Sequence, residues 1–200
     1  MDPQSIARNY DRIAQKWHLE HRESSYGVSQ LKRALSFAAA KGPSIDIGCG
    51  SSGRFIQACS DSGFEAEGLD ISAEMIRVAK EFQPTRIFHH VDVSTWSPEK
   101  SYVLITAWDS TFHLPLELQE PVTRKLCRAL APGGVFLFTC GSPHGSISGS
   151  FDEMNFEYSS LGVNGFLRIL LEENCEILHV EHDQLPEKHV TVISRLVERR

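Results

Sequence analysis

The chain has 200 residues, 41% of them hydrophobic and 23% charged, with a formal net charge of −6. That suffices for one well-buried domain over 1–200, with no composition break to mark a second and no tract of extended disorder. The acidic balance and two short basic runs, Lys32-Arg33 and Arg199-Arg200, argue against a nucleic-acid partner, and no apolar stretch reaches the roughly 18 residues of a membrane span.

Helices are expected first, over Gln4–His18 and Tyr26–Ala40. The second carries Leu31, Leu35 and Ala38 at helical spacing and is stopped by Gly42-Pro43. Ile45–Ile47 reads as a strand and Gly53–Ser62 as a helix. A strand over Ala66–Ile71 and a helix over Ala73–Phe82 follow, the helix capped by Ser72 and apolar at Met75, Ile76 and Ala79. Arg86–His90 and Tyr102–Ala107 are expected strands, the second a continuous apolar run suited to a sheet covered on both faces. Next come a helix over Leu116–Leu130, a turn at Pro132-Gly133-Gly134 and a strand over Val135–Thr139. The Gly/Ser-rich region Pro143–Tyr158 reads as loop and Phe166–Glu173 as helix. Ile177–Glu181 and Val190–Leu196 read as a closing pair of strands around Leu185-Pro186. Alternating strands and helices imply right-handed crossovers, and so an α/β fold with a mostly parallel sheet and helices on both faces.

Within this order, Ser44-Ile45-Asp46-Ile47-Gly48-Cys49-Gly50-Ser51-Ser52-Gly53 puts a carboxylate just before a glycine-rich turn. Gly48, Gly50 and Gly53 alone fit the dinucleotide fingerprint, in which backbone amides and a helix N-terminus meet a pyrophosphate. Asp46 opposes that ligand, because like charges repel in a low-dielectric crevice. It suits a cationic one, and S-adenosylmethionine carries a sulfonium and an ammonium.

Four pieces now stand in sequence: Asp46-Ile47-Gly48-Cys49-Gly50, Gly68-Leu69-Asp70-Ile71-Ser72, Val91-Asp92-Val93 and Leu130-Ala131-Pro132-Gly133-Gly134. In order and spacing they resemble the class I S-adenosylmethionine-dependent methyltransferases along nearly the whole chain, which implies a Rossmann-like seven-stranded sheet. The opening Tyr10-Asp11-Arg12-Ile13-Ala14 resembles the start of small-molecule members, and Tyr158-Ser159-Ser160-Leu161-Gly162 resembles a subset of small bacterial ones. The chain departs from the pattern at Ser52, where the family commonly has glycine, which leaves open the backbone path after Gly50.

The resemblance implies that the N-terminal helices, about residues 1–41, cover the cofactor cleft. Asp70, twenty residues after Gly50, would take both ribose hydroxyls, with Ile71 among the cofactor contacts; the plainer role for Asp70 is to cap the helix at Ser72. Asp92 would accept from the adenine amino group beside the backbone amide of Val93, or be an ordinary turn aspartate. Met75 would pack on the adenine face or be core, and Tyr10 would close as a lid or be a surface aromatic. The backbone of Ala107 and Trp108 would hold the amino-acid moiety. In the segment after the fourth strand, Asp109 and His113 are the titratable side chains, and either could take a proton from an acceptor hydroxyl or amine; positioning alone is the alternative.

Elsewhere the residues read more plainly. His89-His90 is strand-end surface, His144, His182 and His189 show no metal spacing, and Glu181-His182-Asp183-Gln184 is polar enough to line an acceptor pocket, with exposed hairpin charge the plainer reading. Cys49, Cys59, Cys127, Cys140 and Cys175, without CxxC spacing, read as free thiols in a reducing cytoplasm, with no bound metal. The N-terminus shows no signal-peptide core. The absence of an Asn/Asp-Pro-Pro-aromatic motif after the fourth strand argues against nucleobase amines. The expectation is therefore methyl transfer from S-adenosylmethionine, leaving S-adenosylhomocysteine, to oxygen, nitrogen or carbon of a small molecule, by a cytoplasmic monomer or homodimer. The alternatives are a nicotinamide oxidoreductase and a cofactor-binding regulator without turnover.

Overall fold

The computed structural model describes residues 2–197, so the Arg199-Arg200 run lies outside the described residues. Helix α1 (Pro3–His21) starts where the Asp2 side chain accepts the Gln4 and Ser5 N–H groups, with proline in its first turn. Helix α2 (Val28–Phe37) then leads into β1 (Pro43–Ile47), α3 (Arg54–Asp61), β2 (Glu65–Asp70), α4 (Ala73–Phe82), β3 (Ile87–His90) and β4 (Tyr102–Ala107). After a short 3-10 turn (Thr111–His113) come α5 (Leu116–Arg128), β5 (Leu130–Gly141), β6 (His144–Phe151), β7 (Met154–Leu161), α6 (Gly162–Glu172), β8 (Cys175–Gln184) and β9 (His189–Leu196).

Seven strands form one sheet in the order β3-β2-β1-β4-β5-β9-β8. The pairs from β3 through β5 are parallel, whereas β9 runs antiparallel to both β5 and β8. The α/β, mostly parallel architecture expected from the sequence is therefore present. Because side chains alternate along a strand, β5 feeds both faces: Phe136 and Phe138 pack with α5 and α6, Val135 and Leu137 with α2 and α3. The strand order reverses between β1 and β4, and at such a switch point the crevice opens beyond the carboxyl ends of the strands.

Four expectations need correction. The Gly/Ser-rich region read as loop is an antiparallel hairpin, β6 with β7, in which Phe151 pairs with Met154. Its two turn residues, Asp152 and Glu153, both have positive φ (52° and 64°), the backbone of a tight hairpin turn without the glycine or asparagine that signals one. The apolar side of the hairpin, Met154 and Phe156, is buried against Ile6 and Ile13 of α1. The turn at Pro132-Gly133-Gly134 is absorbed into β5 as an irregularity: pairing with β4 slips between Tyr102 and Leu104, and Gly133 takes φ 75°. Helix α2 is shorter than expected, since Ala38 is already extended, and α6 begins at Gly162, ahead of Phe166.

Candidate active site

The glycine turn after β1 is built by three residues in the left-handed region: Gly48 (φ 70°), Gly50 (φ 60°) and Gly53 (φ 57°). They serve different ends. A Cβ on Gly48 would lie 2.3 Å from Ser110 Cβ, so packing alone demands glycine there; one on Gly53 would displace the Gln83 amide, 2.5 Å away at Nε2. At Gly50 the nearest atom would be Trp17 Nε1 at 3.8 Å, so that glycine leaves the backbone open toward the crevice. The path left undecided by Ser52 is settled by Gln83, whose Nε2 donates to the Ser52 carbonyl at 3.0 Å.

Three carboxylates stand at the ends of adjacent strands beside this turn. Asp46 of β1 accepts from Thr106 Oγ1 at 2.6 Å, and burial raises its carboxyl to about 7 against that bond and the nearby Arg54 guanidinium. Asp70 of β2 accepts the Gly50 N–H and the Ser72 N–H, each at 2.9 Å. It thus braces the turn and the start of α4 together. Burial raises its carboxyl while those backbone N–H groups pull it down. Asp92, just past β3, accepts the Ser94 N–H on Oδ1 at 2.7 Å.

Helix α1 is fastened across these elements. Asp11 Oδ1 accepts Ser72 Oγ at 2.6 Å and the Glu74 N–H at 3.0 Å, and His18 Nδ1 donates to the Ser51 carbonyl at 3.1 Å. Tyr10 and Trp17 of α1 line the same cavity as the glycine turn. Burial pushes the Tyr10 phenol well above its ordinary value, so it stays protonated.

The far side of the cavity is assembled from distant segments. Tyr10 OH lies 2.9 Å from His113 Nε2, and His113 Nδ1 lies 3.0 Å from the Glu157 carbonyl of β7. A carbonyl can only accept, so Nδ1 carries the proton and Nε2 accepts from the phenol. Burial lowers the His113 pKa to about 4, keeping it neutral. Asp109, at φ 48°, accepts from Thr139 Oγ1 at 3.0 Å and from His189 Nε2 at 2.8 Å, both on Oδ1. The other His189 nitrogen meets Asp183 of β8. Burial opposes a charge on His189, but its hydrogen bonds to the two carboxylates outweigh this and hold its pKa above the ordinary value. The buried Gln119 amide donates to the Thr111, Leu114 and Ser159 carbonyls at 2.9, 3.2 and 3.1 Å, tying this loop to α5 and β7.

One cavity of about 610 Å³ is lined by Tyr10, Asp46, Gly48, Gly50, Asp70, Ile71, Met75, Asp92, Val93, Trp108, Asp109 and His113. Ala107 is the exception among the sequence-expected site residues: it is fully buried inside β4, paired with Phe138, and does not reach the cavity. The reading of Glu181–Gln184 as exposed hairpin charge fails at its end. Asp183 is bonded to His189, Thr191 and Gln30, and Gln184 lines the cavity. His189 went unrecognised because its partners lie on β8 and on the loop after β4. The only local signal was polar residues alternating with apolar ones near a strand end. No group of three or more His, Cys, Asp or Glu arranged to hold a metal ion occurs among the described residues.

A solved S-adenosylmethionine-dependent methyltransferase from Clostridium acetobutylicum superposes with a TM-score of 0.72 at 15% identity, covering 94% of this chain and 99% of that one. The CcbJ methyltransferase from Streptomyces caelestis gives 0.71 at 18% identity, over 94% and 98% of the two chains. At these identities the likeness is one of fold. Among curated proteins, the chain is 30% identical over 134 residues to a dTDP-3-amino-3,6-dideoxy-alpha-D-glucopyranose N,N-dimethyltransferase from Streptomyces fradiae, covering 65% of this chain and 51% of that one. It is 27% identical over 139 residues to a malonyl-[acyl-carrier protein] O-methyltransferase from Enterobacter lignolyticus, covering 70% and 54%. The chain therefore spans about half the length of these curated relatives. The family model of the methyltransferase domain matches residues 18–195, from the end of α1 through β9, and the chain belongs to that family.

Proposed function

We propose that the cavity binds S-adenosylmethionine and that the chain transfers its methyl group to a small-molecule acceptor. The observation that carries this reading is the convergence of Asp46, Asp70 and Asp92 around the open backbone at Gly50. The residues fit the cofactor. Asp70 accepts from the Gly50 N–H on one oxygen and the Ser72 N–H on the other and faces the cavity, where its carboxylate would meet the ribose hydroxyls. Asp92 Oδ2 is available for the adenine amino group, with Met75 and Ile71 as apolar walls. A cation beside Asp46 would pull its raised pKa back down and be held by the ionised form.

When bound, S-adenosylmethionine supplies an electrophilic methyl group on a sulfonium. The chain's own part is positioning and exclusion of water. Tyr10, Trp17 and Phe156 form an aromatic wall, with Tyr10 and Phe156 centroids 5.2 Å apart. Asp109 and the Tyr10–His113 pair face the acceptor side, where placing the nucleophile on axis removes much of the barrier. Two of the relatives are named for small acceptors, a dTDP-linked amino sugar and trans-aconitate, and one for malonyl-[acyl-carrier protein]; the first two support a small acceptor without choosing one. No described helix is long and apolar enough to cross a membrane, and five free buried thiols suit a reducing cytoplasm.

Asp70→Ala tests the reading. Loss of hydrogen bonds to a carboxylate should weaken S-adenosylhomocysteine binding by about 1.5–3 kcal/mol in calorimetry. Undiminished affinity in that variant, or tighter binding of NAD than of the adenosyl ligand by the unaltered protein, would overturn it.

A further inference from the structure

Resting on the methyl-transfer reading, we propose that the acceptor presents an amine, and that Asp109, fixed by His189 and Asp183, is the group that receives it. Asp109 lines the cavity with its side chain 31% exposed, while Oδ1 is taken by Thr139 and His189. The Tyr26 hydroxyl stands beside the same carboxylate and in turn accepts from the Gln184 amide. Behind it, His189 has a carboxylate on each ring nitrogen, the setting of an imidazolium that donates from both. Asp183 is held in turn by Thr191 Oγ1 at 2.8 Å and Gln30 Nε2 at 3.3 Å. Trp108, a neutral ring, flanks the imidazole at 5.7 Å. The result is a carboxylate pinned in place at the cavity wall, within a triad whose net charge is −1.

The rest of the wall decides between acceptor classes. A hydroxyl must lose its proton to a base with a pKa near the working pH. His113 is engaged at both nitrogens and its pKa is lowered, so it is a poor candidate. His21 is stacked on Trp17 with Nδ1 donating to the Trp17 carbonyl, and no hydrogen bond among the described residues joins it to Asp109. A carboxylate acceptor needs no base but would meet Asp109. Arg54, the one lysine or arginine among the described lining residues, already lies in the field of Asp46 and Asp109. An amine arrives as an ammonium held by Asp109 and first gives one proton to water, which frees its nitrogen lone pair without a dedicated side-chain base. Its nitrogen bonds to the methyl carbon as the carbon–sulfur bond breaks and leaves its electron pair on sulfur. The positive charge thereby passes from sulfur to nitrogen, beside a fixed carboxylate that stabilises it, and the ammonium proton is later lost to water.

The test uses methyl-labelled S-adenosylmethionine and a metabolite extract, before and after N-acetylation of its free amines. Label transfer that disappears on acetylation supports the proposal; label transfer that survives, or that depends on His21 in a His21→Gln comparison with product labelled on oxygen, overturns it. Failure of S-adenosylhomocysteine to bind, together with no transfer to any fraction, would instead sink the methyl-transfer reading. Binding gives a second readout. With S-adenosylhomocysteine present, cyclohexylamine should bind about tenfold or more tighter than cyclohexanol or cyclohexanecarboxylate, and Asp109→Asn should erase that preference. Equal binding of the three would count against an amine site. If Asp109→Asn does not fold, Asp183→Asn serves: imidazole NMR should show both His189 nitrogens protonated at neutral pH in the unaltered protein and not in the variant. An unchanged His189 spectrum in Asp183→Asn would overturn the pinning.

Discussion

On one wall of the cavity, the polar groups come from the ends of three adjacent parallel strands and the turn after β1, with Gly50 and Asp70 braced directly to each other. On the opposite wall, contacts join residues far apart in the chain: Tyr10 to His113, Asp109 to His189, and His113 to the hairpin carbonyl of Glu157. The first wall is held by backbone geometry, so its pieces keep their order and spacing in the sequence. The second depends on which loops fold back over the crevice, so its pieces leave no contiguous signature. A wall of the first kind suits the invariant part of a ligand; one of the second kind can be rebuilt for a different acceptor without disturbing the sheet.

The largest expected effect separates the walls by breaking the first. Gly48→Ala forces a side chain into the left-handed region and against Ser110 Cβ, which itself belongs to the loop leading to the second wall. Backbone strain and overpacking together should destabilise the fold by at least about 3 kcal/mol, read as a lowered denaturation midpoint. A variant that folds with unchanged stability would show that the turn is not the rigid member of the pair.

The two histidines of the second wall should respond to pH with opposite sign. His113 is held neutral with its pKa lowered to about 4, so protonation favours the unfolded chain. The stability it guards is complete above its ordinary value near 6.5 and falls as pH drops toward 4, a loss of order 3 kcal/mol that His113→Gln should abolish. His189 is the reverse: its pKa is raised, so its contribution is present below the unfolded value and is lost as pH rises through the folded one. Denaturation midpoints of the unaltered protein and the two single variants across pH 4–9 would show it; two histidines moving in the same direction would refute the assignment of their charges.

The smallest effect should be confined to the second wall. Gln119→Ala removes the amide that bonds the Thr111, Leu114 and Ser159 carbonyls; Leu114 O keeps the Ser159 hydroxyl and Thr111 O the Leu114 N–H, so the cost is that of the lost bonds, about 1–3 kcal/mol. Affinity for S-adenosylhomocysteine should hardly change, because no first-wall group touches Gln119. An equal loss of cofactor affinity and of stability would mean that the two walls are mechanically coupled.

Most of the first wall was legible in the sequence, because the features that make it are local. Periodicity marked the strands and helices, the glycines marked a left-handed turn, and Asp46, Asp70 and Asp92 stand where strands end. Even there, tertiary packing decided the detail: Gln83 fixed the turn at Ser52, and full burial at the end of β4, paired with Phe138, kept Ala107 out of the cavity. The hairpin β6–β7 is hidden in the sequence because β6 is mostly glycine and serine, and its turn uses Asp152-Glu153 in place of the residues that announce one. Its buried side, Met154 and Phe156, makes sense only against Ile6 and Ile13 of a helix more than a hundred residues earlier. Asp183 reads as hairpin charge, and His189 as a histidine without metal spacing, for the same reason. A short polar stretch carries no record of its partner, and the charge of each group is set by burial and by carboxylates that only the folded chain brings within hydrogen-bonding distance.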